Sequence, residues 1–187
     1  MRVVSGSARG IKLITIPEFT TRPTVDRVKE NMFNIIQYDI YGSVVLDLFS
    51  GSGSLCIESL SRGASKAYFI EKNSKCIPVI NENIERTGLR DRAIVLNTDY
   101  EMFLAKAKRN EFKFDIIFLD PPHKKGFGFK ALEIVSENNL LNDKGIIVVE
   151  HHPDEDYPDD FYDFYKYKFK KYGNTTLSFY KLKGEVA

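Results

Sequence analysis

Val44-Val45-Leu46-Asp47-Leu48-Phe49-Ser50-Gly51-Ser52-Gly53 is an apolar run that leads through an acidic residue to two closely spaced glycines. Its β-branched start predicts a buried strand. The glycines predict a tight turn in which the backbone can approach a ligand, because glycine has no Cβ. A helix is expected from about Ser54, with its free N–H groups directed at the same place. The stretch therefore predicts a strand, turn and helix unit of the kind that holds nucleotide-like ligands in α/β proteins.

Beyond this stretch the chain alternates between short apolar runs and amphipathic segments. The runs are nearly continuous in apolar character, as in central parallel strands that helices cover on both faces. We therefore predict an α/β protein with a doubly wound sheet. The predicted strands are 44–49, 67–71, 93–97, 115–119 and 145–150, and the predicted helices are 54–62, 75–86, 99–109 and 129–138.

The first part of the chain has a different character. Short β-like runs at 2–5 and 11–16, separated by glycines, predict a small N-terminal β-hairpin. A predicted helix begins at Pro23 and ends near Tyr38. We expect these elements to form an appendage, residues 1–42, on a main domain that comprises residues 43–187.

The last part predicts an antiparallel hairpin. Phe164–Tyr172 and Thr175–Leu182 are β-like runs around the turn pair Gly173-Asn174. Aromatic residues and lysines alternate along the first run, which favours rings buried in the sheet and lysines in water over a surface that stacks RNA bases. A mostly parallel sheet that ends in such a hairpin resembles the Rossmann-like class I methyltransferase fold.

Length and composition narrow the class of protein. The chain has 187 residues, 43% of them hydrophobic and 28% charged, which is typical of a soluble globular domain. No apolar stretch approaches the ~20 residues that span a bilayer, and no secretory signal follows Met1. Cys56 and Cys76 make neither a disulfide framework nor a metal quartet. We therefore expect a cytoplasmic monomer with no metal and no membrane partner.

The formal net charge of +1 conceals an uneven distribution of charge. Lysine and arginine dominate residues 1–30 and 164–187, whereas residues 151–163 carry aspartate and glutamate without lysine or arginine. The two positive ends are compatible with phosphate-binding surfaces. They are equally compatible with ordinary solvated charge.

Acidic residues follow the predicted strands at the positions where a ligand is expected. Asp47 can accept a hydrogen bond from a ligand, and Glu71 can hold both hydroxyls of a ribose. Asp99 and Tyr100 can bind an adenine amino group and pack beside its ring, although Asp99 is also suited to cap the helix that follows. This set serves nicotinamide dinucleotides and S-adenosylmethionine alike. Cys56 stands where the dinucleotide pattern requires a third glycine or alanine, so that pattern is incomplete.

The second informative stretch is Asp115-Ile116-Ile117-Phe118-Leu119-Asp120-Pro121-Pro122-His123. It predicts a strand that ends in a carboxylate and a rigid diproline, which presents carbonyl groups and no N–H. An exocyclic base nitrogen is a weak nucleophile because its lone pair is delocalised. Asp120 and the carbonyl of Pro121 can accept its N–H groups and direct the lone pair at a methyl sulfonium. His123 can stack on the base, and Lys124 and Lys125 suit nearby phosphates.

The sequence resembles those of the RsmD family, the bacterial 16S rRNA guanine-N2 methyltransferases. The most specific part of the resemblance is Arg22-Pro23-Thr24-Val25-Asp26-Arg27-Val28-Lys29-Glu30-Asn31-Met32-Phe33-Asn34. It extends over nearly the whole chain, including the glycine turn, Glu71, the Asp-Pro-Pro turn and the closing stretch from Tyr172 to Ser178. Two departures are His123, where the family usually has Tyr or Phe, and Cys56, where a smaller residue is more common.

The resemblance implies a function for each group of residues. It implies transfer of a methyl group from S-adenosylmethionine to a guanine of 16S rRNA or of the small ribosomal subunit. The residues expected to hold the cofactor are Asp47, Phe49, Ser50, Gly51, Ser52, Gly53, Glu71, Lys72, Asp99 and Tyr100. The expected catalytic residues are Asp120, Pro121, Pro122 and His123. The residues expected to contact RNA are Arg22, Thr24, Arg27, Lys124 and Lys125, of which the arginines are alternatively partners of Glu18 or Glu30.

Several alternatives remain open from the residues alone. Because His123 departs from the family pattern, adenine N6 or a protein amide remains open as the target of methylation. The glycine turn is also compatible with a nicotinamide-dependent oxidoreductase. A non-catalytic RNA-binding module is a further possibility. Too few residues follow Pro122 to form a target-reading domain, which favours a structured RNA recognised by shape. His151 and His152 are adjacent on a strand and point to opposite faces, so joint metal binding is disfavoured.

Overall fold

A computed structural model describes residues 1–15, 23–122 and 126–184, with side chains in the first helix described from Asp26 onward. The described residues form one sheet flanked by helices. The helices are α1 (Pro23–Ile35), α2 (Ser54–Ser61), α3 (Cys76–Thr87), α4 (Tyr100–Arg109) and α5 (Phe127–Glu137). The strands are β1 (Val44–Asp47), β2 (Lys66–Glu71), β3 (Ala93–Asn97), β4 (Phe114–Leu119), β5 (Leu141–His151), β6 (Asp160–Phe161), β7 (Phe164–Tyr172) and β8 (Thr175–Leu182).

The eight described strands lie in the order β3-β2-β1-β4-β5-β8-β7-β6. The first five are parallel to one another, and β8 pairs antiparallel with both β5 and β7. The predicted fold class is confirmed, since the sheet is mostly parallel and ends in an antiparallel hairpin. The strand order reverses between β1 and β4, and ligands of doubly wound sheets bind at the carboxyl ends of strands at such a point.

Most boundaries lie within a few residues of the sequence prediction, and the exceptions have local causes. β5 begins at Leu141 and not at 145, because a register shift against β4 accommodates Asn142-Asp143-Lys144, which has the sequence of a turn. The N-terminal runs are joined by one isolated antiparallel bridge between Arg2 and Lys12 and not by regular strands. The first helix ends at Ile35, before the predicted Tyr38. None of the described helices combines the length and apolar character needed to cross a bilayer.

Each face of the sheet is covered by its own hydrophobic cluster. Side chains alternate along β1, so Val45 packs with Phe118 and Val148 on one face, and Leu46 packs with Ile117 and Ile147 on the other. The first cluster includes α1, α2, α3 and the N-terminal residues, whereas the second includes α4 and α5. Burial on both faces explains why the parallel strands are almost continuously apolar in sequence.

A buried charged network attaches the N-terminal residues to α2. Glu58 is fully buried and accepts hydrogen bonds from the backbone N–H of Val4 at 2.8 Å and of Ser5 at 3.0 Å. Its carboxylate also pairs with Lys29 Nζ at 3.3 Å and with Arg62 Nε at 2.8 Å. Lys29 in turn donates to the carbonyl of Arg2 at 2.7 Å. One carboxylate thus joins α1, α2 and the first residues of the chain.

Candidate active site

A cavity of about 760 Å³ opens at the carboxyl ends of the parallel strands. Its size is within the range of small-molecule and cofactor sites. The glycine turn, the end of β2, the start of α4 and the Asp-Pro-Pro turn all line it. The predicted residues that line this cavity are Asp47, Phe49, Ser50, Gly51, Ser52, Glu71, Lys72, Asp99, Tyr100, Asp120, Pro121 and Pro122. The two sequence stretches therefore converge on one cavity.

The glycine turn is fixed by backbone hydrogen bonds and close packing. Ser50 donates its N–H to the carbonyl of Ile70 at 3.0 Å, and Gly53 donates to the carbonyl of Ser50 at 2.6 Å. Gly53 has a φ of +81°, and a Cβ at this position would lie 3.0 Å from the ring of Phe69. A side chain there is disfavoured both by φ and by the lack of space. Gly53 shapes the turn without lining the cavity, whereas Gly51 lines it.

Glu71 connects the end of β2 to this turn. Its Oε2 accepts the N–H of Gly51 at 2.8 Å, and its Oε1 accepts the N–H of Asn73 at 2.7 Å. Each carboxylate oxygen has a second lone pair, so Glu71 keeps the capacity to accept ligand hydroxyls. The same side chain is thus able to hold the turn in place and to bind a ligand.

Asp99 serves as the cap of α4 and also lines the cavity. Its Oδ1 accepts the N–H of Glu101 at 2.9 Å, and its Oδ2 accepts a hydrogen bond from Lys72 Nζ at 2.9 Å. The Lys72 contact holds the pKa of Asp99 below its usual value. The next residue, Tyr100, lies with its ring centroid 5.1 Å from that of Phe49 and 6.1 Å from that of Phe127. These rings form an aromatic wall beside the capping carboxylate.

The Asp-Pro-Pro turn brings a second acidic residue into the cavity. Leu119 at the end of β4 pairs with Val149 of β5 in parallel register. Asp120 and Glu150, the residues that follow each of these, therefore stand side by side, and both line the cavity. Burial and the nearby charge of Asp120 raise the pKa of Glu150 well above its usual value.

Not every predicted site residue has a described position. His123, Lys124, Lys125 and Arg22 lie outside the described residues, and the side chain of Thr24 does too. Arg27 is exposed on α1 and does not line the cavity. Their expected contacts with RNA and substrate remain predictions.

Some residues that line the cavity were not predicted from the sequence. They are Met1, Thr15, Lys29, Met32, Leu48, Ser54, Leu55, Thr98, Glu101, Phe127, Glu150 and Thr175. Glu150 had a usable signal, because it is an acidic residue near the carboxyl end of a predicted parallel strand. Met1, Thr15 and Thr175 had none, since their positions depend on how the two ends of the chain fold onto the sheet.

The paired histidines have a structural explanation. His151 is buried, its Nε2 lies 2.9 Å from Ser178 Oγ, and its Nδ1 lies 2.9 Å from the carbonyl of His152. His152 Nδ1 lies 3.2 Å from a carboxylate oxygen of Asp154. In the part of the chain that the structure describes, no group of three or more His, Cys, Asp or Glu is arranged to hold a metal ion.

Asp47 is a buried carboxyl group whose pKa is strongly perturbed. Burial is the main reason that its pKa rises to about 8. The hydrogen bond from the N–H of Phe49 at 3.1 Å opposes this shift, while the charges of Asp120 and Glu71 add to it. A cavity with this many carboxyl groups favours a ligand that carries positive charge.

The raised pKa of Asp47 predicts a specific dependence of stability on pH. The folded protein keeps a proton that the unfolded chain releases near its usual pKa of 3.8. The contribution of Asp47 to stability is therefore complete below pH 3.8, decreases as pH rises, and is lost through about pH 8. The free energy of unfolding of the wild type falls as the pH rises from 6.5 to 7.5. In Asp47→Asn this fall should be smaller by about 1 kcal/mol.

Denaturant unfolding at these two pH values measures the effect of Asp47→Asn. Asparagine keeps the acceptor for the N–H of Phe49 and removes only the titration. Glu150 contributes a slope of the same sign, so the variant should retain part of the dependence. Equal slopes for the wild type and the variant would contradict the assignment of this titration to Asp47.

Several known proteins that this chain resembles are named as methyltransferases. A family model described as "Conserved hypothetical protein 95" matches residues 1–181. The chain is 38% identical over 184 residues to "Putative rRNA methyltransferase YlbH" of Bacillus subtilis, covering 98% of this chain and 100% of that protein. It is 37% identical to ribosomal RNA small subunit methyltransferase D of Haemophilus influenzae, in an alignment that covers 83% of this chain and 80% of that protein. A solved structure, "Putative methyltransferase yhhF from Escherichia coli", has a TM-score of 0.85, 30% identity and 99% coverage of both chains.

Proposed function

Because the chain belongs to the RsmD family of small-subunit ribosomal RNA methyltransferases, we propose that it transfers a methyl group from S-adenosylmethionine to the exocyclic N2 of a guanine in 16S rRNA. The observation that carries the proposal is the convergence of the glycine turn and the Asp-Pro-Pro turn on one cavity. An enzyme with this substrate acts where ribosomal subunits are assembled, in the cytoplasm.

The residues of the cavity fit the cofactor. When bound, S-adenosylmethionine supplies an electrophilic methyl group on a positively charged sulfur. Glu71 is suited to accept the ribose hydroxyls, and Asp99 to accept the adenine amino group beside the wall formed by Phe49 and Tyr100. The carboxylate of Glu71 stabilises the positive charge of the cofactor, and that positive charge in turn favours the ionised form of the buried Asp47. These carboxyl groups would not stabilise the negative pyrophosphate of a nicotinamide dinucleotide.

We assign to Asp120 the activation of the amino group of the base. Pro121 is buried and fixes the backbone immediately after Asp120, so the carboxylate has a defined position at the cavity wall. Accepting an N–H from the substrate directs the nitrogen lone pair toward the methyl group. The proton can leave after the new N–C bond forms, which means that no strongly basic group is required. Rate enhancement comes from alignment and from preorganised acceptors.

Glu150 favours guanine as the base. Guanine presents adjacent N1–H and N2–H donors on its pairing edge, whereas adenine has an acceptor at N1. Two carboxyl groups side by side, Asp120 and Glu150, match two adjacent donors. A base that has left its stack is read by such contacts to its pairing edge. The side chain of Glu150 is suited to this role because it lines the cavity beside Asp120.

Glu150→Gln tests this reading of the base. The amide keeps the size of the side chain but replaces one acceptor oxygen with an NH2 donor that opposes an N–H of guanine, so kcat/KM for the RNA should fall about 10-fold or more. The affinity for S-adenosylmethionine should stay within about threefold of wild type. Glu137→Gln on the exposed side of α5 is the matched control. Unchanged kcat/KM in Glu150→Gln would exclude a role in holding the base.

Glu71→Ala should weaken cofactor binding first. The substitution removes an acceptor for the ribose and also leaves the N–H of Gly51 without its partner at 2.8 Å. The combined loss is about 3 kcal/mol, or on the order of 100-fold in Kd. Isothermal titration calorimetry with S-adenosylmethionine measures it, with Glu82→Ala on the exposed surface of α3 as the control. Wild-type affinity in Glu71→Ala would contradict the assignment of Glu71 to the cofactor.

Methyl transfer to RNA tests the proposed function directly. Small subunits and free 16S rRNA that lack the modification are incubated with the protein and S-adenosylmethionine carrying a tritiated methyl group. We expect label in the RNA and N2-methylguanosine after digestion, identified by mass spectrometry. Label in N6-methyladenosine or in ribosomal protein would contradict the guanine assignment. No incorporation into either substrate would contradict the function.

A further inference from the structure

The outer edge of β7 is an exposed surface that the cavity chemistry does not use. β6 pairs only with Phe164 and Tyr165, so the remainder of β7 has β8 on one side and no described strand on the other. Four consecutive residues of this edge are exposed: Lys168, Phe169, Lys170 and Lys171. We call these four residues the β7 edge. Phe169 is 63% exposed, against the sequence prediction that the rings of this run are buried.

The lysines of the β7 edge differ from their neighbours in their ion pairs. Lys166 pairs with Asp159 at 2.9 Å, and Lys183 pairs with Asp160 at 3.1 Å. The acidic residues of 151–163 thus neutralise the lysines near β6. Within the described ranges, Lys168, Lys170 and Lys171 form no ion pair. Their positive charge remains available to a ligand.

The strand register places this charge at the cavity end of the sheet. Lys170 pairs with Leu177 of β8, and Leu177 pairs in turn with Glu150 of β5. Two strand spacings separate Lys170 from Glu150, which is about 10 Å between backbones. Thr175, at the start of β8, lines the cavity itself. The β7 edge is therefore continuous with the part of the cavity that contains Glu150.

We propose that the β7 edge binds the RNA backbone next to the methylated nucleotide. Phe169 and Lys171 lie on one face of the strand, where Phe169 stacks on an unpaired base and Lys171 binds a phosphate, and Lys168 and Lys170 bind phosphates from the other face. The inference rests on the proposed function. Positive charge with an exposed aromatic ring is the combination that binds single-stranded nucleic acid. Lysines on an open edge also prevent strands from pairing between molecules. An exposed Phe169 does not serve that purpose, because an apolar side chain on an edge promotes such pairing.

The test compares two double variants in the tritium assay. Lys170→Glu with Lys171→Glu reverses the charge of the β7 edge. Lys106→Glu with Lys108→Glu makes the same charge change in the last turn of α4, at the opposite end of the helix from the cavity residue Tyr100. The β7 variant should raise KM for the RNA at least tenfold, and the α4 variant should leave KM within about twofold. The salt dependence of RNA binding should also weaken in the β7 variant, by about 1.4 in log–log slope.

Further measurements distinguish a loss of RNA binding at the β7 edge from misfolding. They also distinguish it from the loss of edge protection, our term for lysines that prevent strands of different molecules from pairing. The β7 variant should keep wild-type affinity for S-adenosylmethionine, and Phe169→Ser should raise KM for the RNA without a change in salt slope. Equal KM values in the two double variants would overturn the inference. Association of the β7 variant into larger particles with an unchanged KM would overturn it too, and would assign the lysines to edge protection. If the wild type fails to methylate RNA, the proposed function fails and not this inference alone.

Discussion

Asp120→Ala should lower kcat for methyl transfer by on the order of 10² to 10³ while the affinity for S-adenosylmethionine stays within about threefold of wild type. The substitution removes the preorganised acceptor that directs the amino lone pair, and a loss of this size is typical of such a group. Asp120 is exposed at the cavity wall, so its removal should not lower stability. Single-turnover transfer with saturating RNA, together with calorimetry for the cofactor, measures the two effects separately.

Asp143→Ala provides the control for Asp120→Ala, because Asp143 is an exposed aspartate of the neighbouring strand β5 and does not line the cavity. Asp120→Asn adds a finer test. Its amide oxygen keeps one acceptor but loses the charge, so transfer should be slowed less than in Asp120→Ala. Full incorporation with Asp120→Ala would remove the basis of the mechanism.

Glu58→Gln should lower the free energy of unfolding by about 3 to 5 kcal/mol. The amide cannot neutralise Lys29 and Arg62, so a buried lysine loses its partner. Burial already lowers the pKa of Lys29, and Glu58 is the main group that opposes this shift. The hydrogen bonds that hold Val4 and Ser5 weaken at the same time. Urea unfolding at pH 7 measures the loss.

Two further variants define the cause of the Glu58→Gln effect. Glu82→Gln breaks an exposed pair with Arg86 and should cost less than about 0.5 kcal/mol. Adding Lys29→Met to Glu58→Gln removes the unpaired cation and should recover part of the stability. A loss of less than about 0.5 kcal/mol in Glu58→Gln would show that the network contributes little.

The parallel part of the fold could be predicted because its physical signals are local. Apolar runs such as Val44–Asp47 and the glycines after them carry their own conformational preference. The alternation of these runs with amphipathic helices determines the layered arrangement. The glycine turn, Glu71 and Asp120 could be predicted as site residues for the same reason, since each follows a predicted strand directly. Their convergence on one cavity then follows from the parallel arrangement.

The remaining features depend on contacts between distant segments. Glu58 belongs to an amphipathic helix in the sequence, and only the packing of the N-terminal residues shows why it is buried. Phe169 was expected inside the sheet, yet β6 is too short to cover the edge on which it lies. Glu150 was overlooked because its role depends on β4 and β5 being neighbours in register. A sequence pattern predicts which face of a helix or strand is apolar. It does not predict which distant segment packs against that face.

The position of β8 has a consequence for the synthesis of the enzyme. β8 lies between β5 and β7, although both of these strands precede it in the chain. A nascent polypeptide that ends before Thr175 has an unfilled gap in its sheet, and the cavity lacks the lining residue Thr175. The described sheet is complete only once β8 has left the ribosomal exit tunnel and inserted between β5 and β7. Translation must therefore proceed through β8 before the sheet that carries the cavity is closed.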